Sequence, residues 1–298
     1  MKWVKKGLII TPTGADWMRT HAMIPTLEHR EGSLYRIYFS GRDTQNRSLV
    51  SYAEINLEQP EKVVRFSPKP VLGLGALGCF DDNGVTPSWI VKDGKRTLLY
   101  YIGWNKGATV RMHLFGGLAI SEDGGETFER YSRAPILERT TLDPYLNTAP
   151  CVLKENNRWR MWYVSGLGWD HPDLPRYHIK YAESSDGRSW ERKGVVSIDF
   201  KAAPEEHALA RPCVVKDKDL YRMWYAYKGK NYRLGYAEST DGISWKRKDN
   251  EVGLDVSPMG WDSEMIEYAY VLTHAGKRYM FYNGNDYGRD GIGLALEQ

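Results

Sequence analysis

The stretch ARPCVVKDKDLYRMWYAYKGKNYRLGYAESTDGISWKRK, residues 210–248, carries a plan that the rest of the chain repeats. An apolar run opened by Pro212 leads through a Lys-Asp turn to an aromatic run from Tyr221. A looser loop follows, then a run centred on Ala237 and a tight Asp-Gly turn. Short runs of β-branched and aromatic residues bounded by Lys, Asp and Gly read as consecutive strands of an antiparallel meander.

Outward from this stretch, the first strands open at Pro25, Pro87, Pro150, Pro212 and Tyr268, with spacings of 62, 63, 62 and 56 residues. Second strands follow in YRIYF from Tyr35, LLYY from Leu98, RMWY from Arg160, RMWY from Arg222 and YMFY from Tyr279. Third strands share Ala53, Ala119, Ala182, Ala237 and Ala295. A period of about sixty residues holding four short strands is the signature of a propeller. The expected fold is therefore all-β, a five-bladed β-propeller with four-stranded antiparallel blades, forming one domain over residues 1–298.

Fourth strands begin after SEDGGETF, SSDGRSW and STDGISW, where Asp-Gly supplies a tight reversal because glycine accepts positive φ at little cost. The copy at Ser121 also fits the Asp box of sialidases and other propellers, a structural turn. The last unit ends at Gln298 without a fourth strand, and WVKKG from Trp3 has the aromatic-to-glycine spacing of WERKG from Trp190. The N-terminal strand is thus expected to close the last blade and remove an open edge.

Composition narrows the functional classes. Hydrophobic residues make up 42% and charged residues 27%, as in an ordinary globular protein, and a net charge of +3 from 41 basic and 38 acidic side chains gives no reason to expect nucleic acid or an anionic membrane. Eleven Trp and twenty Tyr stand beside seven Phe, side chains that suit both sheet packing and binding walls. Cys79, Cys151 and Cys213 have no pairing or metal-ligand spacing; Cys151 and Cys213 follow Pro150 and Pro212 and read as small core residues. No metal is expected. The apolar run of MKWVKKGLIITP is too short for a signal peptide, and no later run approaches a membrane span, so a cytoplasmic location is expected.

The turns between strands one and two, and between three and four, are short, charged and glycine-rich. The opposite loops differ. ADWMRTH, GCFDDNG, LDPYLN, PEEHALAR and GWDSEMIE precede the first strands, and GRD, GWN, GLGWDHPD and NGND follow the second strands. Carboxylates, histidines, arginines and tryptophans gather there, and polar groups converging in an aromatic-walled hollow mark the expected ligand site.

The five units, the Trp/Tyr-rich second strands and the A-x-S-x-D-G-x-x-W turns resemble the five-bladed propeller glycosidases, the superfamily of glycoside hydrolase families 43, 32 and 130. The resemblance spans essentially the whole chain. Family 43 enzymes carry Asp before the first blade's proline, Asp in the second blade and Glu before the third blade's proline. This chain has Ile24 before Pro25, and Thr148 and Ala149 before Pro150, and keeps a carboxylate only in the second blade, at Asp82 or Asp81. That departure marks a divergent branch whose site has moved toward blades two, four and five.

The resemblance implies carboxylate acid/base chemistry on a carbohydrate, with inversion and no organic cofactor. One carboxylic acid would protonate the leaving oxygen and one carboxylate would activate water. The catalytic candidates are Asp82, Glu206, Glu264 and Glu267, with Asp262 in reserve. Each has a plainer alternative: Asp82 as a loop cap in Asp-Asp-Asn-Gly, and Glu206 in a salt bridge with an arginine. Glu264 and Glu267 stand three apart, on opposite faces of an extended strand, so one of them points inward. Glu267 aligns with Arg211 and Ile24. His21, Arg42, Trp104, Trp169, Arg211 and Asp262 are candidates for substrate binding. Arg211, His21 and Arg42 would hold phosphate if cleavage were phosphorolytic, the alternative reaction. A propeller that binds a glycan or a protein without cleaving it is the alternative of a different class.

Overall fold

The computed structural model describes residues 1–201 and 206–298, so residues 204 and 205 of the PEEHALAR segment lie outside the described residues. The strands are β1 (Trp3–Ile10), β2 (Thr20–Glu31), β3 (Leu34–Arg42), β4 (Ser48–Asn56) and β5 (Val63–Phe66). There follow β6 (Gly84–Asp93), β7 (Arg96–Lys106), β8 (Met112–Ser121) and β9 (Glu129–Arg130), then β10 (Asn147–Glu155), β11 (Arg158–His171), β12 (Leu174–Ser184) and β13 (Val196–Ile198). The rest are β14 (Ala208–Asp217), β15 (Leu220–Lys228), β16 (Tyr232–Ser239), β17 (Lys246–Arg247), β18 (Glu267–His274), β19 (Lys277–Asn283) and β20 (Ile292–Glu297).

The chain is all-β. Strands β2 to β5, β6 to β9, β10 to β13 and β14 to β17 each pair antiparallel in sequence order. Single parallel pairings, Ser48 with Gly84, Asn147 with Phe115 and Tyr177 with Ala208, join these four units into one sheet. A separate four-stranded sheet has the order β1-β20-β19-β18. The N-terminal strand thus completes the unit at the C-terminal end, from Trp3 opposite Glu297 to Ile10 opposite Ile292. The strands that open the units, β2, β6, β10, β14 and β18, pack in that order, and β18 also packs against β2.

Aromatic residues of the second strands hold each of the first three units to the next. The Tyr38 hydroxyl donates to Gly125 O at 3.1 Å, the Tyr100 hydroxyl to Gly187 O at 2.7 Å, and Trp162 Nε1 to Gly242 O at 2.9 Å. The acceptors sit in the Asp-Gly turns, where Gly125, Gly187 and Gly242 have φ of 85°, 71° and 73°. In the Asp box, Asp123 accepts the Glu126 and Thr127 N–H groups, and although burial works against its charge these and the Thr127 and Ser121 hydroxyls bring its pKa down to about 2. Trp162 and Trp224 are fully buried, as strand-core residues should be. Cys151 and Cys213 are buried too; their sulfurs accept the Val214 and Val271 N–H groups, and burial pushes both thiols up.

A second repeated tie uses a tyrosine of the second strand. Tyr101, Tyr163, Tyr225 and Tyr282 donate to Asp81, Asp143, Asp249 and Asp262 at 2.9, 3.0, 2.5 and 2.9 Å. In the last unit Asp262 also takes Lys5 Nζ of β1 at 2.7 Å, so this carboxylate fastens the N-terminal strand in place.

Candidate functional site

The opening strands carry an unusual backbone. In four units the pairing with the second strand skips two residues: Met23 to Thr26, Thr148 to Cys151, Ala210 to Cys213 and Glu267 to Tyr270. Inside the skips, Ile24, Ala149, Arg211 and Tyr268 have φ of 55°, 48°, 48° and 56°. Positive φ in a non-glycine residue costs on the order of 1–3 kcal/mol and gathers at functional sites; a bulge re-aims the side chain it carries. Asn283 helps hold one of the four. Its Oδ1 accepts the Ile24 N–H at 2.8 Å while its Nδ2 donates to Ala22 O and Gly291 O at 2.7 and 2.8 Å.

Those skips correct the alignment of the last unit. Cys213 faces Trp224 and Tyr270 faces Phe281, so Tyr268, not Glu267, is the counterpart of Arg211. The sequence of the last unit has no proline to mark its bulge.

All four bulged residues line one cavity of about 500 Å³, with walls from the loops that the sequence grouped together. Five cationic side chains line it, Arg42, Lys106, Arg111, Arg211 and Lys228, against one carboxylate, Asp173. None of the five pairs with a carboxylate among the described residues. Arg42 Nη1 donates to Asn46 Oδ1 at 3.1 Å and Lys228 Nζ to the Tyr287 hydroxyl at 3.0 Å. Arg211 is 1% exposed and donates to Ala269 O at 2.8 Å, Pro25 O at 2.5 Å, Thr26 Oγ1 at 3.1 Å and Ser88 O at 3.3 Å, while its Nε has no partner. Burial lowers the pKa of Arg42 and Arg211, the mark of charge held without a counter-ion.

One wall is built from tyrosines. Tyr177 and Tyr232 share a hydrogen bond of 2.6 Å between their hydroxyls, and Lys228 Nζ lies 5.1 Å and 5.4 Å from the ring centres of Tyr232 and Tyr287. Behind this wall is Glu267, 0% exposed, with no hydrogen-bond partner for either oxygen. Burial raises its pKa well above the usual carboxyl range; Lys228 and the Tyr268 hydroxyl oppose that rise without cancelling it. Burial therefore favours the protonated carboxyl over the carboxylate at Glu267.

Of the residues singled out from the sequence, Arg42, Trp104 and Arg211 line the cavity, and Glu267 lies behind its wall. Trp104 Nε1 is buried without a partner. The others do not line it. Glu206 is held by Arg247 at 2.7 and 2.9 Å and accepts the Lys201 N–H at 2.8 Å, the salt-bridge arrangement, with Arg247 as the arginine. Asp82 accepts Asn105 Nδ2 at 2.8 Å and the Gly78 N–H at 2.9 Å, a loop-capping arrangement. Asp262 serves the Tyr282 and Lys5 tie. Glu264 is exposed, opposite in burial to Glu267. Trp169 packs against the apolar cluster containing Ile24 and Ala149. His21 is 8% exposed, its Nδ1 2.8 Å from Thr20 Oγ1, and burial with the nearby Arg42 charge lowers its pKa to about 4.

Lys106, Arg111, Asp173, Lys228 and the four tyrosines went unselected in the sequence. A signal was there: Lys106 and Arg111 end and follow an aromatic second strand in the loop set that holds GWN. Among the described residues no three His, Cys, Asp or Glu side chains gather as a metal site would require, and no helix is long and apolar enough to cross a membrane.

The fold is shared with solved structures of glycosidases and a phosphorylase. A solved structure titled "Glycoside hydrolase" superposes with a TM-score of 0.76 at 20% identity, covering 99% of this chain and 91% of that one. The β-1,2-mannobiose phosphorylase of Listeria innocua, in complex with β-1,2-mannobiose, gives 0.73 at 11% identity, covering 100% and 97%. A thermostable family-43 glycoside hydrolase gives 0.66 at 13% identity, covering 96% and 91%. No family model matches the sequence. By sequence the chain belongs to the family of two Mycobacterium tuberculosis proteins, "Uncharacterized protein MT1551" of strain CDC 1551 and "Uncharacterized protein Rv1502" of strain H37Rv. Each is 44% identical over 298 residues, covering 99% of both chains.

Proposed function

We propose that the chain, as one five-bladed propeller domain over residues 1–298, is a cytoplasmic enzyme that cleaves a glycosidic bond with phosphate in place of water. The observation that carries this reading is the cavity's charge: five cations with no carboxylate partner among the described residues, and one acidic side chain on the wall. Arg211 is buried and Arg42 and Lys228 are half-buried; holding such charge without a counter-ion is costly, and a bound dianion offsets that cost. Hydrolysis by two carboxylates would need an ionised partner for the acid. Glu206 is committed to Arg247, Asp82 to a turn, and Asp173 is exposed at the tip between β11 and β12.

Phosphorolysis needs one acid. A phosphate oxygen, steered by Arg42 and Lys228, attacks the anomeric carbon as the glycosidic C–O bond breaks, and the leaving oxygen takes the proton supplied by Glu267. The hydrogen that phosphate sheds once its oxygen is bound to carbon restores Glu267. The products are a sugar 1-phosphate and a shortened glycan or free sugar. The likeness in fold to the Listeria phosphorylase over the whole chain supports this choice.

Incubating the full chain with a panel of disaccharides and short oligosaccharides, with and without inorganic phosphate, tests it by phosphorus NMR. The expected result is a sugar 1-phosphate formed only with phosphate, at a rate about 10²–10⁴-fold lower in Glu267→Gln. Reducing sugar released equally without phosphate would replace this reading by hydrolysis. Glycan binding without turnover would replace it by a binding module.

A further inference from the structure

The reaction just proposed gathers on one side of the ring. The opening strands pack in a cycle, β2, β6, β10, β14, β18 and back to β2, so the units opened by β2 and by β14 both adjoin the one opened by β18. Arg42 belongs to the first unit and Lys228 to the fourth, and Lys228 Nζ reaches the Tyr287 hydroxyl of the fifth at 3.0 Å. The cations that steer phosphate therefore flank the fifth unit. Units two and three stand across the cavity from it.

That far side is aliphatic. Alternation along β7 puts Ile102, Trp104 and Lys106 on one face, and pairing with β8 sets Leu114 opposite Trp104 and Met112 opposite Lys106 on the same face. Ile102, Met112 and Leu114 of unit two join Leu146, Ala149 and Val164 of unit three in one apolar cluster, and all six line the cavity. None of the six is sealed off, each keeping 2–8% exposure. Trp104 Nε1 and Thr148 Oγ1, set among them, are buried and offer the cavity nothing. The charged residues of this hairpin, Lys106 and Arg111, are exposed at its tip.

A bare sugar does not match such a wall. Its hydroxyls project from the edge of the ring, so a flat aromatic face can cover the C–H groups while the hydroxyls stay at the rim. A hollow of aliphatic side chains takes water from the hydroxyls and returns no hydrogen bond, which is costly. An alkyl chain loses nothing there and gains by leaving water. Met112, unbranched and adaptable, can mould to it.

On the phosphorolysis reading, we infer that the substrate is an amphiphilic glycoside: its sugar is cleaved beside the fifth unit, while an aliphatic chain borne by the same molecule fills the side of units two and three. The chain is the alcohol that leaves or an acyl group on the sugar. The two share one chemistry, and the test separates them.

The full chain, with inorganic phosphate present, is titrated in a calorimeter with methyl, butyl and octyl glycosides of glucose, galactose and mannose in both anomers, below their micelle concentrations. Octanoyl esters of the methyl glycosides form the second arm. For at least one sugar, affinity at one site per chain is expected to rise about threefold per carbon from methyl to butyl. A gain from the octyl glycoside assigns the chain to the leaving alcohol, and a gain from the ester assigns it to the sugar. Leu114→Asn, and Met112→Gln as a variant nearer the original shape, are each expected to cut the gain at least about threefold.

Affinity that stays flat along the series would overturn the inference, and so would a gain that survives in both variants. A neutral disaccharide, or an acidic one drawn by Lys106 and Arg111, that binds more tightly than every octyl compound would overturn it too. Turnover is judged separately. Sugar 1-phosphate formed beside a flat alkyl series would leave phosphorolysis standing without the apolar subsite; a steep series that the variants flatten, with no glycoside turned over, would keep the subsite and end phosphorolysis.

Discussion

Buried and half-buried arginines occur in two regions of this molecule under opposite conditions. At the turn end of the second strands, Arg36 meets Glu54 at 2.8 Å and Glu126 at 2.5 Å, Arg160 meets Glu155 at 3.4 Å, and Arg222 meets Asp217 and Glu238 at 2.9 and 3.1 Å. Burial works against their charge, but their tyrosine and carboxylate neighbours outweigh it and raise all three pKa values. In the cavity, Arg42 and Arg211 have no carboxylate partner, and burial lowers theirs. The first region contains its own counter-ions and is scaffold. The second withholds them, which costs stability and leaves positive potential where a ligand can enter.

The paired region should be the fragile one. Its extreme case is β1, whose Trp3 Nε1 donates to Val252 O at 2.8 Å and whose Lys5 pairs with Asp262. Deleting residues 1–10 exposes the pairing edge of β20 and loses the buried Trp3, Ile9 and Ile10, on the order of 5 kcal/mol or more. Thermal unfolding followed by circular dichroism would show it; a truncated chain melting like the full one would break the account of the closing strand. Arg36→Ala should cost about 1.5–3 kcal/mol in a urea titration, because Glu54 keeps Arg65 but loses its buried partner, while phosphate binding is unchanged.

The cavity side carries a smaller, pH-dependent contribution. His21 is neutral when folded, with a pKa of about 4 against 6.5 unfolded. The unfolded chain therefore binds the extra proton between those values, so stability is complete above about pH 6.5 and falls as the pH drops toward 4. Roughly 2 kcal/mol is at stake after allowing for partial solvation. Measuring the unfolding midpoint at pH 7 and pH 4.5 should give a smaller acid loss in His21→Gln than in the parent. The smallest effect sharpens the comparison most: Arg42→Gln with Lys228→Gln should leave thermal stability unchanged or slightly raised, because no ion pair is lost.

How much of this was readable in the sequence follows the same division. The strands, the Asp-Gly turns and the N-terminal partner of β20 were legible because local patterns specify them: alternation, a proline at each opening, WVKKG matching WERKG. The loops that form the cavity were legible as a group. Its working residues were less so, since they come together only when five distant openings converge. Lys106, Arg111 and Lys228 are ordinary surface residues in the sequence and become one set through curvature alone. Glu267 was named but misregistered by one residue, because a bulge leaves no trace in composition where its proline is missing. Asp262 and Glu206 were read as site residues from their position, yet tertiary partners far along the chain, Lys5 and Arg247, claim them.

The withheld counter-ions are tested most directly by titrating inorganic phosphate into the full chain in a calorimeter, beside the Arg42→Gln, Lys228→Gln double variant, at low and physiological salt. One phosphate bound per chain, weakened by salt and reduced at least about tenfold in the double variant, is the predicted result. Phosphate binding that the double variant leaves intact, or none in either protein, would contradict it.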